Sequence, residues 1–454
     1  RIGDKGVVAF VSNGGWIDGD STSGFRKCVQ DDFSAVYVFH LRGNQRTSGE
    51  LSRREGGKVF GQGSRAPVAI TLLIKDPDQT GPATIHYHDI GDYLTREQKL
   101  ERVSSFGGYR DVSWQTIEPN THHDWINQRN DQFYDLKSLT GSDDSIFKIR
   151  SNGAQTNRDI WVFNYNRKRL DTNVGLMINH YNSQIDENLN DVLKNRNQQT
   201  KIEAAKKLVN QDSRFIKWTS SLFQSFVQGK KANFDRDNIG ISTYRPFSKS
   251  WIYYDKLFIH RYKDKIYPSV NYENLLIQVT GTGSSKDFSC LITNTIPDLE
   301  VISKGQCLPL NYYEKPEQSE QDLFDDSSDE YVRRDGITDT ALNEIRAHYG
   351  DDTITKEAIF YYTYSVLHSP AYREQFANEL KKELPRVPYA PDFWGFSQAG
   401  RDLAYWHLNY ETVEPYPLDE HSNALAIEPE ELYKVHKMRF AVSANKSTHL
   451  PQNH

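Results

Sequence analysis

The sequence predicts an α/β sheet followed by a larger mixed α+β region with helical segments. Three observations predict it. Apolar runs of strand length at 6–11, 35–41 and 68–74 are interrupted by one amphipathic helix. Residues 171–193 and 200–227 carry apolar side chains at three- and four-residue spacing. Between 232 and 310 the pattern turns to short β-branched and aromatic runs punctuated by Pro and Gly.

The elements follow in order. GVVAFV (6–11) is unbroken and apolar, as expected of a strand covered on both faces. After the turn SNGG (12–15), Thr22, Phe25, Val29 and Phe33 fall at helical spacing and predict a helix over 22–33. AVYVFHL (35–41) and VAITLLI (68–74) read as buried strands, and 84–88 as a short one. Thr95 and Gln98 have capping-box spacing and start a helix to about Val103. Residues 112–230 read as mainly helical, apart from strand-like IWVF (160–163). WIYY (251–254), 275–279 and 288–292 read as strands. Gly281 and Gly283 therefore mark a hairpin turn better than a dinucleotide loop. Residues 314–335 are acidic and nearly devoid of core formers, which predicts a linker or surface loop. The pattern over 338–383 is helical again. Ser369 and Pro370 place a cap and a first-turn proline between two helices, and Pro385 and Pro388 stop the second.

Composition narrows the function. The 454 residues hold 55 basic and 61 acidic side chains, a formal charge of −6. That excludes a uniformly basic nucleic-acid coat and leaves room for a local cationic cleft. Cys28, Cys290 and Cys307 stand far apart, so neither a disulfide framework nor a CxxC zinc pair is present. No apolar run approaches the ~20 residues of a membrane span, no signal peptide is visible, and a cytoplasmic protein is expected. The chain opens at Arg1 and almost at once enters a strand, so a piece of a longer protein is expected.

Two cationic segments stand out. LRGNQRTSGELSRREGGKVFGQGSR (41–65) holds six basic residues, Arg42, Arg46, Arg53, Arg54, Lys58 and Arg65, with six glycines. Glycine lets backbone approach a ligand and arginine offers forked donors to phosphate oxygens, although a solvated loop has the same composition. The second segment, 230–267, interleaves Lys230, Lys231, Arg236, Arg245, Lys249, Lys256, Arg261, Lys263 and Lys265 with seven aromatic residues, Phe247 among them. Cations position phosphates and aromatics stack or wedge bases; a sheet with an aromatic inner and basic outer face gives the same pattern. His86, His88, and the trio His122, His123, Asp124 lack further ligands at metal spacing, so no metal is expected. There is no P-loop and no G-x-S-x-G elbow.

Longer motifs carry a resemblance. VAFVSNG (8–14), FRK (25–27), LRGNQRTSGE (41–50), RREGGKVFG (53–61), TNRDIWVFN (156–164), YRPFSKSWIYYD (244–255) and ITNTIPDLE (292–300) stand in order. ITKEAIFYYTYSVLHSPAYREQFANELKKELPRVP (354–388) and HLNYE (407–411) follow. Together they resemble the C-terminal part of the type ISP restriction–modification enzymes over nearly the whole chain. The order strand, helix, strand, loop, strand at the N-terminus looks like the second half of a DNA adenine-N6 methyltransferase domain.

The resemblance implies the C-terminal half of a Rossmann-like methyltransferase sheet (1–110), then a target-recognition domain. The latter's first part spans 111–313, an acidic linker 314–336, and a helical part 337–454 that continues in the family past Phe440. It implies a parent that transfers a methyl group from S-adenosylmethionine to adenine N6 and uses ATP and Mg for translocation and cleavage. The family's cofactor loop and Asn/Asp-Pro-Pro-Tyr/Phe tetrapeptide precede these strands, and no Pro-Pro dipeptide occurs here. The fragment is therefore expected to bind double-stranded DNA without catalysing, beside the methyltransferase, helicase and nuclease parts of the same polypeptide. Phe60 matches the aromatic that stacks on the extruded adenine, since N6 is out of reach inside a stacked duplex. Arg42, Arg46, Arg53, Arg54, Lys58, Asn157, Arg158, Arg245, Lys249 and Arg386 are the DNA-contact candidates. Two rival readings are a free-standing DNA-specificity subunit and a carbohydrate-active protein that stacks sugars on its aromatics.

Overall fold

A computed structural model of the chain describes residues 3–47, 49–61, 64–284, 286–315, 331–417, 439–440 and 451–452. They fall into two units, Arg1–Tyr410 and Glu411–His454. In the second, Arg439–Phe440 pairs antiparallel with Pro451–Gln452.

The first unit begins with a five-stranded sheet of order β1-β3-β2-β4-β5. Its strands are β1 (Gly6–Asn13), β2 (Ala35–Arg42), β3 (Val68–Lys75), β4 (Thr84–Asp89) and β5 (Gln115–Ile117), with helices α1 (Ser23–Asp32), α2 (Gly49–Glu55) and α3 (Arg96–Ser105) between them. β2 and β4 are parallel, and the other pairings are antiparallel. Strand alternation sends Val36 and Val38 into one core with Val29, Leu73 and Ile85, while Phe39 and Leu41 enter a second with Val59 and Ile90. The capping box of α3 forms in both directions, Gln98 N donating to Thr95 Oγ1 at 3.3 Å and Thr95 N to Gln98 Oε1 at 2.8 Å. β1 departs from expectation. Val8 and Phe10 face the core, but Val7 and Val11 are 63% and 52% exposed, and among the described residues β1 pairs only with β3. It is a half-covered edge strand.

Of residues 112–230, expected to be mainly helical, 112–158 form no α-helix. Asn120 Oδ1 accepts from the amides of His122 (3.0 Å) and Asp124 (2.9 Å), and Asn130 Oδ1 from that of Gln132 (3.0 Å). Such local side-chain acceptors compete with a helix. What forms, besides β5, is a short 3-10 helix (Asp131–Asp135) capped by Asn130, and β6 (Lys137–Ser138) and β7 (Ser151–Asn152) among loops. IWVF (160–163) divides between α4 (Asp159–Val162) and β8 (Phe163–Asn164), because Trp161 N and Val162 N bond Arg158 O. Helix α5 (Arg167–Leu193) starts a turn before the expected position, where Asn166 Oδ1 caps Arg169 N. The expected helix over 200–227 is two, α6 (Gln198–Leu208) and α7 (Ser220–Val227), each capped separately by Asn197 and Thr219.

Two four-stranded sheets follow. One has order β13-β9-β10-β8, with β9 (Ile239–Arg245), β10 (Ser248–Tyr253) and β13 (Ile296–Pro297). The other has order β12-β11-β14-β7, with β11 (Leu276–Val279), β12 (Cys290–Thr293) and β14 (Gln306–Pro309). Because β11 and β12 pair antiparallel, Gly281 and Gly283 lie in the connection of a hairpin. The acidic segment is not all linker. β15 (Asn311–Glu314) pairs with β16 (Val332–Asp335), and residues 316–330 lie outside the described residues.

The remaining elements are α8 (Asp339–Tyr349), α9 (Lys356–His368), α10 (Pro370–Gln375), α11 (Glu379–Lys382), β17 (Arg386–Val387) and α12 (Phe393–Leu408). Ser369 Oγ caps α10 with Pro370 at its first turn. α12 presses its backbone on α9: a Cβ at Gly400 would stand 2.0 Å from Tyr361 O. Ile277, Ile292 and Leu308 share one core with Ile345, Ile359 and Phe393, so the boundary expected near 337 does not part the packing. No described helix is long and apolar enough to cross a membrane.

Candidate nucleic-acid interface

The loop after β2 is built to turn one aromatic ring outward. The last residue of β2, Arg42, runs at φ +54° after a register shift against β3. The Arg42 guanidinium bonds Asp89 (Nε to Oδ1, 2.7 Å) and also Asp92. Burial works against ionising Asp89, and the Arg42 hydrogen bond and charge overcome it. Arg42 is thus held inward. Lys99 of α3 is buried and donates to Glu55 O (2.7 Å) and Gly57 O (2.8 Å), and burial pushes its ammonium down to about 8. Gly56 runs at φ +69° with Leu94 O only 2.2 Å from where a Cβ would stand, so a side chain there has no room. Val59 fills the inner position beside Phe39 and Leu41, and Arg96 Nε holds its carbonyl at 2.9 Å. Phe60, next in the chain, is 51% exposed and does not pack under the hairpin. Arg46, Arg53, Arg54 and Lys58 of the same segment are exposed. Their visible ion pairs are surface pairs, Arg53 to Glu50 at 3.4 Å and Arg54 to Asp92 at 3.1 Å, which contribute little and yield to a phosphate.

A second site is a cleft of about 410 Å³ lined by Gln155, Asn157, Ile160, Lys217, Arg245 and Asp298, among others. It joins two candidates distant in sequence. Asn157 runs at φ +57° and its Oδ1 accepts from Gln155 Nε2 at 3.0 Å. The Arg245 guanidinium lies 3.9 Å over the Tyr244 ring and bonds Asp298 Oδ1 at 2.8 Å. Arg158 is the wall of this cleft rather than a contact in it. It is 2% exposed and donates to Lys217 O (3.2 Å), Thr219 Oγ1 (2.9 Å) and Phe258 O, and burial pushes its guanidinium down to about 10. Every donor group there already serves the fold.

Residues 145–450 match the model of the Type ISP C-terminal specificity domain. The chain belongs to this family. Among solved structures, the Type ISP chain is similar to a nuclease-deletion mutant of the Type ISP restriction–modification enzyme LlaGI in complex with a DNA substrate mimic. That likeness has 36% identity and a TM-score of 0.76 over 92% of this chain and 36% of that one. LlaBIII, an ATP-dependent Type ISP restriction–modification enzyme bound to DNA, is 31% identical with a TM-score of 0.74, covering 93% and 26%. A DrdV–DNA complex is 31% identical with a TM-score of 0.77, covering 98% and 42%. The chain therefore spans well under half the length of these proteins. No curated protein matches it.

The specificity-domain match takes in the cleft and leaves out 41–65. Lys249 lies on β10 with its ammonium 5.3 Å over the Tyr410 ring. Arg386 is elsewhere, on β17, donating to Leu136 O at 3.2 Å and lying over the Tyr134 ring at 5.5 Å. His86 stacks on Tyr37 and His88 Nδ1 lies 2.8 Å from Ser113 O. Among the described residues no group of His, Cys, Asp and Glu could hold a metal ion. Residue reasoning passed over Asp298, Lys217 and Ile160, which share the cleft with Arg245. Only the motif ITNTIPDLE pointed toward the first of them.

Asp298 gives the cleft a pH dependence. Burial raises its carboxyl to about 6, against the ordinary 3.8, so lowering the pH through 6 neutralises the acid beside Arg245. Loss of an anion strengthens a phosphate site. DNA affinity of this chain at constant salt is expected to rise as pH falls from about 7 to 5. Asp298→Asn is expected to flatten that rise, and fluorescence anisotropy against a labelled duplex measures both. An equal rise in the variant would remove Asp298 as its source.

Proposed function

We propose that this chain recognises a double-stranded DNA target within a type ISP restriction–modification enzyme. The parent's other parts transfer a methyl group from S-adenosylmethionine to adenine N6 and couple recognition to ATP-driven translocation and cleavage. The observation that carries the reading is the 36% identity, over 92% of the chain, to LlaGI solved on a DNA substrate mimic. The first sheet supports the methyltransferase half of the reading. β1 is followed by a helix and then by antiparallel β2 and β3, with β3 lying between β1 and β2 and the outer edge of β1 unpaired among the described residues. The residues present do not make up a S-adenosylmethionine site, since the cofactor loop and catalytic tetrapeptide are not among the 454. No methyl-transfer step is assigned to them.

In this reading Arg46, Arg53, Arg54 and Lys58 hold phosphates around a base extruded onto Phe60, while Asn157 and Arg245 face the duplex from the cleft. Four phosphate contacts displace counterions, and log K then falls with log salt at a slope of about −3.6. Affinity for a duplex is expected to drop roughly a hundred-fold between about 50 and 200 mM salt. A drop of less than about threefold would remove the DNA reading, because sugars and other neutral ligands release no counterions.

A further inference from the structure

The turn joining β9 to β10 consists of Pro246 and Phe247, since Arg245 pairs with Ser248. Proline suits the first position of such a turn. Phe247 takes the second at φ +52°, a conformation that turns give to glycine or asparagine. Holding a bulky side chain there is unfavourable. Core packing does not account for it, because Phe247 is 47% exposed. Two rings lie beside it, His407 at 5.5 Å and Tyr410 at 5.3 Å, both steeply inclined to it. An aromatic thus stands where local backbone preference and burial both disfavour it.

Its surroundings point to a polyanion with flat apolar layers. Arg245 and Lys249 bracket the tip by two residues on each side, and the register shifts between Ser248 and Lys249. Tyr165, another exposed ring, is tied to the tip through Ser248 Oγ at 3.1 Å. We infer that Phe247 is a wedge that the hairpin inserts between adjacent base pairs of the target duplex, with Arg245 and Lys249 toward the phosphates on either side. This rests on the reading of the chain as a DNA-recognition module and adds how that module deforms its target. Apolar wedges unstack one step, and the cost is smallest for the most easily unstacked sequences, so Phe247 contributes specificity without touching a base edge.

The test uses the full chain and a duplex enriched by it from a randomised pool, with 2-aminopurine placed at successive positions. Wild type is expected to brighten 2-aminopurine several-fold at one step. Phe247→Gly relieves the turn, so it is expected to melt at the same or a higher temperature. It should lose the brightening and bind about tenfold more weakly, the effect of one lost stacking contact. Phe247→Asn, a second residue at ease with positive φ, is expected to do the same. Brightening retained in both variants, or absent in wild type on a duplex it binds, overturns the wedge. So does a loss confined to a Phe247→Gly that melts lower while Phe247→Asn matches wild type, for Phe247 would then only pin the hairpin. Failure to enrich any duplex removes the DNA reading itself, and the wedge with it.

Discussion

Asp124→Ala is expected to destabilise the first unit by about 3–5 kcal/mol, the effect of removing one partner from a buried charge cluster. Asp124 is 1% exposed and Arg26 fully buried, with Arg26 NH2 at 3.2 Å from Asp124 Oδ1. Arg129 Nε donates to the same carboxylate at 2.8 Å, and Lys382 Nζ lies 3.3 Å away. Without the carboxylate, Arg129 keeps Glu383 and Asp20 and Lys382 keeps Asp18, but the buried Arg26 loses its ion pair. Arg26 would keep its donors to His123 O, Trp16 O and Gly19 O, but its charge would be unbalanced. The cluster draws on α1, the loop after β5 and α11, so it ties the Phe60 sheet to the C-terminal helices. Chemical unfolding measures the effect, and a loss below about 1 kcal/mol would mean that the cluster does not hold these parts together. The pH dependence has a definite sign. Burial works against ionising Asp124, yet the Arg129 hydrogen bond and the charge of Lys382 hold its carboxyl down at about 2, against the ordinary 3.8. A depressed folded-state value gives stability that is full above about pH 4 and is lost as pH falls toward 2. Asp124→Asn is expected to fall less steeply across that window, since Asp89 and other depressed carboxylates still titrate there.

The strands of the first sheet were legible because apolar runs of strand length have few other uses, and the Thr95 capping box because its two hydrogen bonds need that spacing. Coverage was not legible: Val7 and Val11 read as buried, although only one face of β1 is packed. The segment 112–158 misled because Asn120 bonds nearby amides in a loop and Asn130 caps only a short 3-10 helix, which composition does not reveal. At the site, positive charge was readable and its destination was not. Arg42 and Arg158 look like Arg53 in sequence, but acids on β4's outgoing loop claim the first and backbone carbonyls the second. Phe247 was visible as one aromatic among seven. Its significance depends on a backbone angle.

In the parent enzyme proposed above, Phe60→Ala is expected to lower adenine methylation about ten- to a hundred-fold. The argument follows from how the loop is fixed. Val59 faces the core and Phe60, next to it, is 51% exposed, on a loop whose backbone Lys99 holds at Glu55 O and Gly57 O and whose Gly56 lies against Leu94 O. A ring held this way loses little entropy when a base stacks on it. Affinity for duplexes lacking the target is expected to change by less than about twofold, because phosphates supply nonspecific binding. Replacing Arg53 and Arg54 together with alanine should do the reverse, weakening every duplex and reducing the salt slope by about 2. Gly56→Ala forces its new methyl onto Leu94 O and should impair methylation although Phe60 is intact. Phe60→Trp keeps a stacking face and should retain activity where Phe60→Ala does not. Equal methylation by wild type and Phe60→Ala would leave an exposed ring with no part in holding the base.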